Sequence, residues 1–213
     1  MESLLNYALT YAQVNCKVFP LKVNSKDGQT LTSLKEKATT DKKQITKWFT
    51  NTDYNAGVST GEGIIVIEVD AQKNGKQIIE RYIKQFPITM TVRTPDGGWH
   101  FYYQVNKEID TQFNLYKGIN VYGNGSFVLG AGSQLENGNY YISINKPIAK
   151  ANEFIHEFLK GAINDFQVTW KSALEMSQLP QQENTDIIKQ LLPVGVTLFE
   201  HLQKWGKHFY VCS

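Results

Sequence analysis

Two neighbouring segments decide the fold of this chain: Ile64-Ile-Val-Ile-Glu-Val-Asp70 and Arg93-Thr-Pro-Asp-Gly-Gly-Trp-His100. The first is a run of branched apolar residues that predicts a buried strand. Side chains alternate along a strand, so Glu68 and Asp70 share one face, roughly 7 Å apart. Ionised carboxylates at that spacing repel each other and are costly to desolvate, and a divalent metal ion removes both penalties. The acid pair therefore predicts a metal site, with two solvated acids at a strand end as the simpler alternative.

The second segment is a glycine-rich turn followed by a strand of alternating character. Its Pro95-Asp-Gly-Gly98 sequence places glycine where a tight turn needs a positive φ angle or a close backbone approach. The alternation after it puts His100 and Tyr102 on one face of the strand, and Phe101 and Tyr103 on the other. A histidine this close to a glycine-rich turn is well placed to contact a phosphate. A surface histidine, or one satisfied within the fold, is the alternative.

Composition favours a single domain, or one domain with a small appendage. The chain has 213 residues, of which 41% are hydrophobic and 12% aromatic, which suffices for a substantial core. A net charge of +2 gives no global basic field that would attract nucleic acid. Cys16 and Cys212 are too few for a disulfide framework or a metal knuckle. No apolar run approaches a membrane span and the N-terminus has no signal-peptide pattern, so we expect a cytoplasmic protein without a membrane partner.

The pattern along the rest of the chain predicts helices early, strands in the middle and helices late. Helices are predicted over 3–15, 41–49, 75–86, from 147 onward and over 185–205, and strands over 16–21, 55–59, 64–70, 88–94, 99–105, 118–122, 126–129 and 140–144. Asp41 and Gln44 form a predicted capping box, and Asn124-Gly125 predicts a hairpin between its two flanking strands. Residues 22–38, 106–117 and 130–139 are predicted loops. This order favours an α+β domain over 1–160, followed by a helical C-terminal appendage or linker over 161–213.

The order of these motifs resembles the bifunctional primase-polymerase domain of the archaeo-eukaryotic primase superfamily, as found in phages, plasmids and other mobile elements. The resemblance covers residues 4 to 144, and the order and spacing of its motifs are more specific than any one of them. The matching pieces are Ala8-Leu-Thr-Tyr-Ala12, Val18-Phe-Pro-Leu21, residues 38–49 with their tryptophan-bearing helix, Asn55-Ala-Gly-Val-Ser-Thr-Gly61, Val66-Ile-Glu-Val-Asp70, Thr94-Pro-Asp-Gly-Gly-Trp-His-Phe-Tyr102 and Gly118-Ile-Asn-Val-Tyr-Gly-Asn-Gly-Ser-Phe-Val128.

The resemblance implies a primase-polymerase fold with an N-terminal α/β part and an RRM-like catalytic sheet. The family's first motif, two acids one residue apart, matches Glu68 and Asp70, which would hold Mg2+ or Mn2+. Its second motif matches Gly98 and His100, where the histidine, with Gly97 and Gly98, would bind the phosphates of the incoming nucleotide. Its third motif is an aspartate that completes the metal site, and the matching position here is Asn120.

Four positions depart from the family pattern, and Asn120 is the most consequential. An amide oxygen can ligate a metal ion but carries no charge, so this position holds the ion more weakly than a carboxylate would. Glu68 is one methylene longer than the usual aspartate, and Gly98 occupies a position that is often serine. Tyr122 stands where many members have arginine, which removes a cation. These departures concern catalysis rather than the fold.

Two classes of function follow from the resemblance. The first is a DNA-dependent primase/polymerase that replicates a mobile element, phage or plasmid, with single-stranded DNA template and nucleoside triphosphates as partners and a replicative helicase as a further expected partner. In that enzyme Glu68, Asp70, His100 and Asn120 would be the catalytic residues. The second is a catalytically lapsed primase fold that binds nucleotide or single-stranded DNA. A third alternative, a metal-dependent nuclease, accounts for the acid pair but not for the glycine-rich turn before His100.

Overall fold

The computed structural model describes residues 3–22 and 36–161. The chain divides into two compact units, 1–163 and 164–213, and all described residues belong to the first. The helix predicted over 185–205 and most of the predicted appendage therefore lie outside the described residues. What is described is a mixed α/β arrangement, with antiparallel sheets and few helices.

In the described residues of the N-terminal part, two helices pack with a small sheet. Helix α1 spans Leu4–Gln13 and α2 spans Lys42–Phe49. Strands β1 (Val18–Lys22) and β2 (Tyr54–Ser59) are antiparallel and are joined by β8 (Phe127–Leu129). Asp41 caps α2 as predicted, accepting a hydrogen bond from the Lys43 amide at 3.0 Å. The predicted reciprocal partner was wrong, because the Asp41 amide donates to the Thr39 hydroxyl instead of to Gln44.

Among the described residues, the larger sheet has seven strands, and β3 lies near its centre. Its order is β11-β4-β5-β3-β7-β6, with β12 added parallel to β5, and its other pairings are antiparallel. The strands are β3 (Ile64–Val69), β4 (Thr91–Arg93), β5 (Trp99–Gln104), β6 (Gln112–Tyr116), β7 (Ile119–Tyr122), β11 (Tyr141–Ile144) and β12 (Ala149–Lys150). A two-stranded ribbon of β9 (Gln134–Leu135) and β10 (Gly138–Asn139) accompanies them.

Both faces of β3 are packed, which explains its unbroken apolar run. Ile64 and Val66 join the core formed with α1 and α2. Ile65, Ile67 and Val69 join a second core on the other face. That second core includes side chains of α3 (Gly75–Tyr82) and α4 (Glu153–Phe158). Among the described residues, β3 is therefore covered on both faces from Ile64 to Ile67.

The hairpin predicted at Asn124-Gly125 is wrong. A turn does form, since the Ser126 amide donates to the Gly123 carbonyl at 3.2 Å. The strands on either side then diverge, because β7 pairs with β3 and β6 whereas β8 pairs with β2. Thr60 lies at this point: its amide donates to the Ser126 carbonyl at 3.0 Å and its hydroxyl donates to the Gly123 carbonyl at 2.7 Å. The turn thus joins two sheets instead of closing one hairpin.

Other elements also differ from prediction, among them the strand predicted over 88–94, which forms only over Thr91–Arg93. Strand β6 lies inside the predicted loop 106–117, and the β9–β10 ribbon lies inside the predicted loop 130–139. The helix expected from residue 147 begins only at Glu153, since Ala149 and Lys150 pair with β5 first. These short pieces are held by partners distant in sequence, which local patterns do not report.

Candidate functional site

Three sequence-predicted residues stand side by side across the centre of the larger sheet. Glu68 on β3 is directly opposite His100 on β5 and directly opposite Asn120 on β7. Side chains of directly opposed residues project from the same face, so the three form one row. Residues two positions along, Val66 and Tyr102, pack into the core on that face. The row therefore begins where the packed face opens into a cleft.

Glu68 is surrounded by hydrogen-bond donors. Its Oε2 accepts from the Asn120 side-chain amide at 2.7 Å and from the Tyr122 hydroxyl at 3.1 Å. Its Oε1 lies 3.5 Å from His100 Nε2. Burial raises the pKa of Glu68, but the hydrogen bond and charge of His100, together with the donors on Asn120 and Tyr122, lower the pKa to about 2. Glu68 is thus an ionised carboxylate at neutral pH.

His100 is almost fully buried, with a relative exposure of 2%. Its Nε2 faces Glu68, and its ring lies 5.7 Å from the ring of Tyr140. Its Nδ1 is buried and has no hydrogen-bond partner among the described residues. Leaving a buried polar atom unpaired costs about 1–3 kcal/mol, so such an atom points to function.

Asp70 follows β3 directly and shapes the backbone next to Glu68. Its Oδ1 accepts hydrogen bonds from the amides of Gln72 at 2.9 Å and Lys73 at 3.2 Å, which caps a single 3-10 turn over Ala71–Lys73. Its Oδ2 lies 3.4 Å from Lys73 Nζ. The second acid is therefore oriented by backbone donors and accompanied by one exposed cation.

Asn120 uses both ends of its side-chain amide. Its nitrogen donates to Glu68, and its Oδ1 accepts from the Asn114 backbone amide at 2.8 Å. Asn114 has a positive φ of 53° and lies in β6 where the pairing with β7 shifts. The backbone donor on one side and the carboxylate on the other fix the orientation of the amide, with its N–H side toward Glu68.

A cleft of about 670 Å³ brings these groups together between the larger sheet and β8. The four predicted site residues Glu68, Asp70, His100 and Asn120 all line it, and they come from three separate stretches of the sequence. The further lining side chains that matter for its chemistry are Lys73, Asp96, Phe113, Tyr122, Phe127 and Tyr140. Sequence reasoning missed Phe113 and Tyr140 because they come from segments interpreted as a loop and as a plain strand. The alternation of Phe113 and Leu115 with polar neighbours was the available signal for a strand there.

Gly97 and Gly98 do not line the cleft. The Gly97 amide donates to the Thr94 carbonyl at 3.0 Å, and the Gly98 amide donates to the Thr94 hydroxyl at 2.9 Å, so both N–H groups are used within the turn. A Cβ at Gly98 would lie 2.1 Å from the Val69 carbonyl oxygen. Gly98 thus permits the close approach of β5 to the end of β3, and phosphate binding by these two glycines stays a prediction.

The donor set of the cleft fits a hard divalent cation in part. Within the described part of the chain, Glu68 Oε1 and Asp70 Oδ2 each have one long polar contact, at 3.5 Å and 3.4 Å, so each retains capacity to accept a ligand bond. Mg2+ commonly uses one or two carboxylates and completes its shell with water and substrate phosphates. Asn120 presents N–H instead of oxygen toward Glu68. Within residues 3–22 and 36–161, no group of three or more His, Cys, Asp and Glu side chains is arranged to hold a metal ion.

Comparison with protein families gives one match. The family model described as the N-terminal domain of bifunctional DNA primase/polymerase matches residues 8–154, which include the whole row and cleft. A comparison with curated proteins gives no significant match. In the part of the chain that the structure describes, no helix has the length and apolar character needed to span a membrane.

Proposed function

Since the chain belongs to the family of bifunctional DNA primase/polymerase N-terminal domains, we propose that it is a DNA-dependent primase/polymerase that extends a 3′-hydroxyl on a single-stranded template. Membership implies a nucleotidyltransferase-type enzyme that binds DNA and nucleotides. The observation that best supports assigning this activity to the cleft is the row of His100, Glu68 and Asn120 at its floor. Replication of a mobile element, phage or plasmid in the cytoplasm, with a replicative helicase as partner, is the biological setting that the resemblance favours.

Glu68 and Asp70 are the proposed ligands of the catalytic Mg2+ or Mn2+, and the Asn120 side chain is the proposed third ligand. When bound, such an ion neutralises triphosphate charge and lowers the pKa of the attacking hydroxyl. Asn120 and Tyr122 hold the Glu68 carboxylate in one orientation before any ligand arrives. Because Glu68 stays ionised through the neutral range, it needs no deprotonation to act as a ligand.

His100 is the proposed phosphate-binding residue of the incoming nucleotide. Its place in the lining of the cleft, directly opposite Glu68, supports this role. Lys73 adds the cation nearest to Asp70 and lies along the same wall. We further propose that the larger sheet is the RRM-like catalytic sheet of the family. The template would approach it at the mouth of the cleft and not across a face of the sheet.

The test is incorporation of labelled nucleotides on a primed template with Mg2+ or Mn2+. Asp70→Asn keeps the size of the side chain and removes its charge, so we expect a loss of about 100-fold or more, as for a disturbed metal site. Glu62→Gln is the matched control, because Glu62 is an exposed acid that pairs with Lys17 and does not line the cleft. Full activity in Asp70→Asn would contradict the proposed metal role.

Asn120 favours a second candidate function, a catalytically lapsed module that binds nucleotide or single-stranded DNA. In this reading the Asn120 amide replaces a metal ion as the partner of the Glu68 carboxylate. The lapsed module predicts DNA binding without incorporation under any metal condition. If the parent chain incorporates nucleotides and Asp70→Asn abolishes this incorporation, the lapsed module is excluded.

A further inference from the structure

A pair of aromatic rings extends the cleft beyond the acidic residues. Phe113 on β6 keeps 65% of its surface exposed although it lines the cleft. Its ring lies 5.8 Å from that of Tyr122, at an interplanar angle of 86°, which is an edge-to-face contact. We call Phe113 and Tyr122 the aromatic shelf. The roles proposed for the acids, the histidine, the amide and the Tyr122 hydroxyl leave the exposed ring of Phe113 unexplained.

The shelf is anchored to the row by its inner member. The Tyr122 hydroxyl donates to Glu68 at 3.1 Å, so the phenol ring is fixed beside the carboxylate. Phe113 stands one ring further from the acid.

The outer member is also held in place, by an irregularity of β6. The β6–β7 register shifts between Gln112 and Tyr116, and Asn114 takes a positive φ of 53°. The Asn114 amide is bonded to Asn120 Oδ1, so the row itself supports this bulge. Bulges redirect side chains and occur often beside active sites. Phe113 is thus an apolar ring presented to solvent on a supported backbone.

A flat heteroaromatic ring is the ligand that this shelf fits. Nucleobases stack on exposed aromatic side chains without reading their sequence, because every base has a π face. A phosphate or a free metal ion gains nothing from Phe113. With a divalent ion held by Glu68, the row of Glu68, His100 and Asn120 beside the shelf would take the phosphates of the same ligand.

We propose that Phe113, held edge-to-face against Tyr122, stacks a nucleobase of the nucleotide or strand bound in the cleft. This inference rests on the proposed function, since it names the base-binding part of the same site. The base belongs either to the incoming nucleotide or to the single-stranded template. All four bases are recognised alike.

Calorimetric titration of the full chain, with Mg2+ present, separates these sources. The probes are the four deoxynucleoside triphosphates, inorganic tripolyphosphate, an oligothymidylate and an abasic oligonucleotide of equal length. Phe113→Ala should weaken binding of the base-bearing ligand about tenfold or more, similarly for all bases, and leave tripolyphosphate or the abasic strand unaffected. Phe113→Trp should restore it. Tyr54→Ala, which removes an exposed aromatic ring outside the cleft, is the control.

The ligand class that weakens identifies the source: triphosphates point to the incoming nucleotide and oligothymidylate to the template. Unchanged affinity for both classes in Phe113→Ala, or an equal loss for tripolyphosphate, would overturn the stacking role while leaving the proposed function intact. If the parent chain binds neither nucleotides nor DNA, the stacking role and the proposed function both fail.

Discussion

The Asn120 side-chain amide donates to Glu68 Oε2 at 2.7 Å, across neighbouring strands of the central sheet. The same amide accepts the Asn114 backbone N–H at 2.8 Å. One neutral side chain therefore holds an ionised carboxylate and supports a backbone bulge. An aspartate at this position would keep the acceptor but lose the donor, and it would set two carboxylates side by side.

Asn120→Asp should therefore make folding stability depend on divalent metal. Without metal, loss of a hydrogen bond to a charged group and repulsion between the carboxylates should cost about 2–3 kcal/mol. For a domain of this size that lowers the melting temperature by several degrees. Added Mg2+ or Mn2+ should recover most of the loss in the variant and little in the parent. Thermal unfolding with and without each metal measures this.

Asn120→Ala is the matched control, since it removes the amide without adding charge. It should lose stability through Glu68 and the Asn114 amide, and no metal should restore it. If Asn120→Asp is as stable as the parent when a metal chelator is present, the contact between Asn120 and Glu68 contributes nothing to folding stability.

Tyr122→Phe should separate the orientation of Glu68 from ring stacking. The variant loses the hydroxyl that bonds Glu68 and keeps the ring against Phe113. We expect about tenfold more metal to be needed for half-maximal incorporation, as when a group that orients a metal ligand is removed. Activity titrated with Mn2+ measures it, with Tyr141→Phe as a control outside the cleft. An unchanged metal requirement would show that the hydroxyl does not position the carboxylate.

Gly98→Ser should destabilise the fold although the family often has serine there. A Cβ at this position would lie 2.1 Å from the Val69 carbonyl oxygen, which forces a backbone shift costing about 1–3 kcal/mol. Urea denaturation of the parent and the variant measures this loss in the free energy of unfolding. Gly97→Asn is the neighbouring control: Gly97 has a φ of 82° that asparagine tolerates, and the nearest atom to its Cβ is 3.7 Å away. Equal stability of both variants would contradict the close approach.

Stability should fall in alkaline solution because of buried neutral groups. Burial raises the pKa of the Cys16 thiol from 9.0 to about 12. As the pH rises, the thiol of the unfolded chain ionises before that of the folded chain. The contribution of the buried thiol to the free energy of unfolding is therefore complete below pH 9 and is lost as the pH rises to about 12. Burial also raises the pKa of Tyr11 and Tyr102, which act in the same direction.

Urea unfolding of parent and Cys16→Ala from about pH 8 to about pH 10.5 isolates the thiol. The parent should lose up to about 2 kcal/mol more than the variant over this range. Parallel loss in both chains would show that the thiol is not protected by burial.

The central strand and its acids were predictable because their signals are local. An apolar run ending in alternate acids gave β3, and alternation after the glycine-rich turn correctly placed His100 and Tyr102 on one face. Predicting the contact between His100, Glu68 and Asn120 required the register in which their three strands pair. The family resemblance suggested this register, and the local sequence pattern did not. Strand β6 and the fate of the Asn124-Gly125 turn depend on Asn120 and Thr60, partners distant in sequence or bonding through side chains. Phe113 was missed for the same reason.

The most direct test of the account replaces Glu68 itself. Labelled nucleotide incorporation on a primed single-stranded template, with Mg2+ or Mn2+, should be measured for the parent and for Glu68→Gln, with circular dichroism confirming the fold of both. We expect incorporation by the parent and a loss of about 100-fold or more in Glu68→Gln. Equal incorporation by both folded chains would contradict the claim that this carboxylate, in its row with His100 and Asn120, forms the catalytic centre.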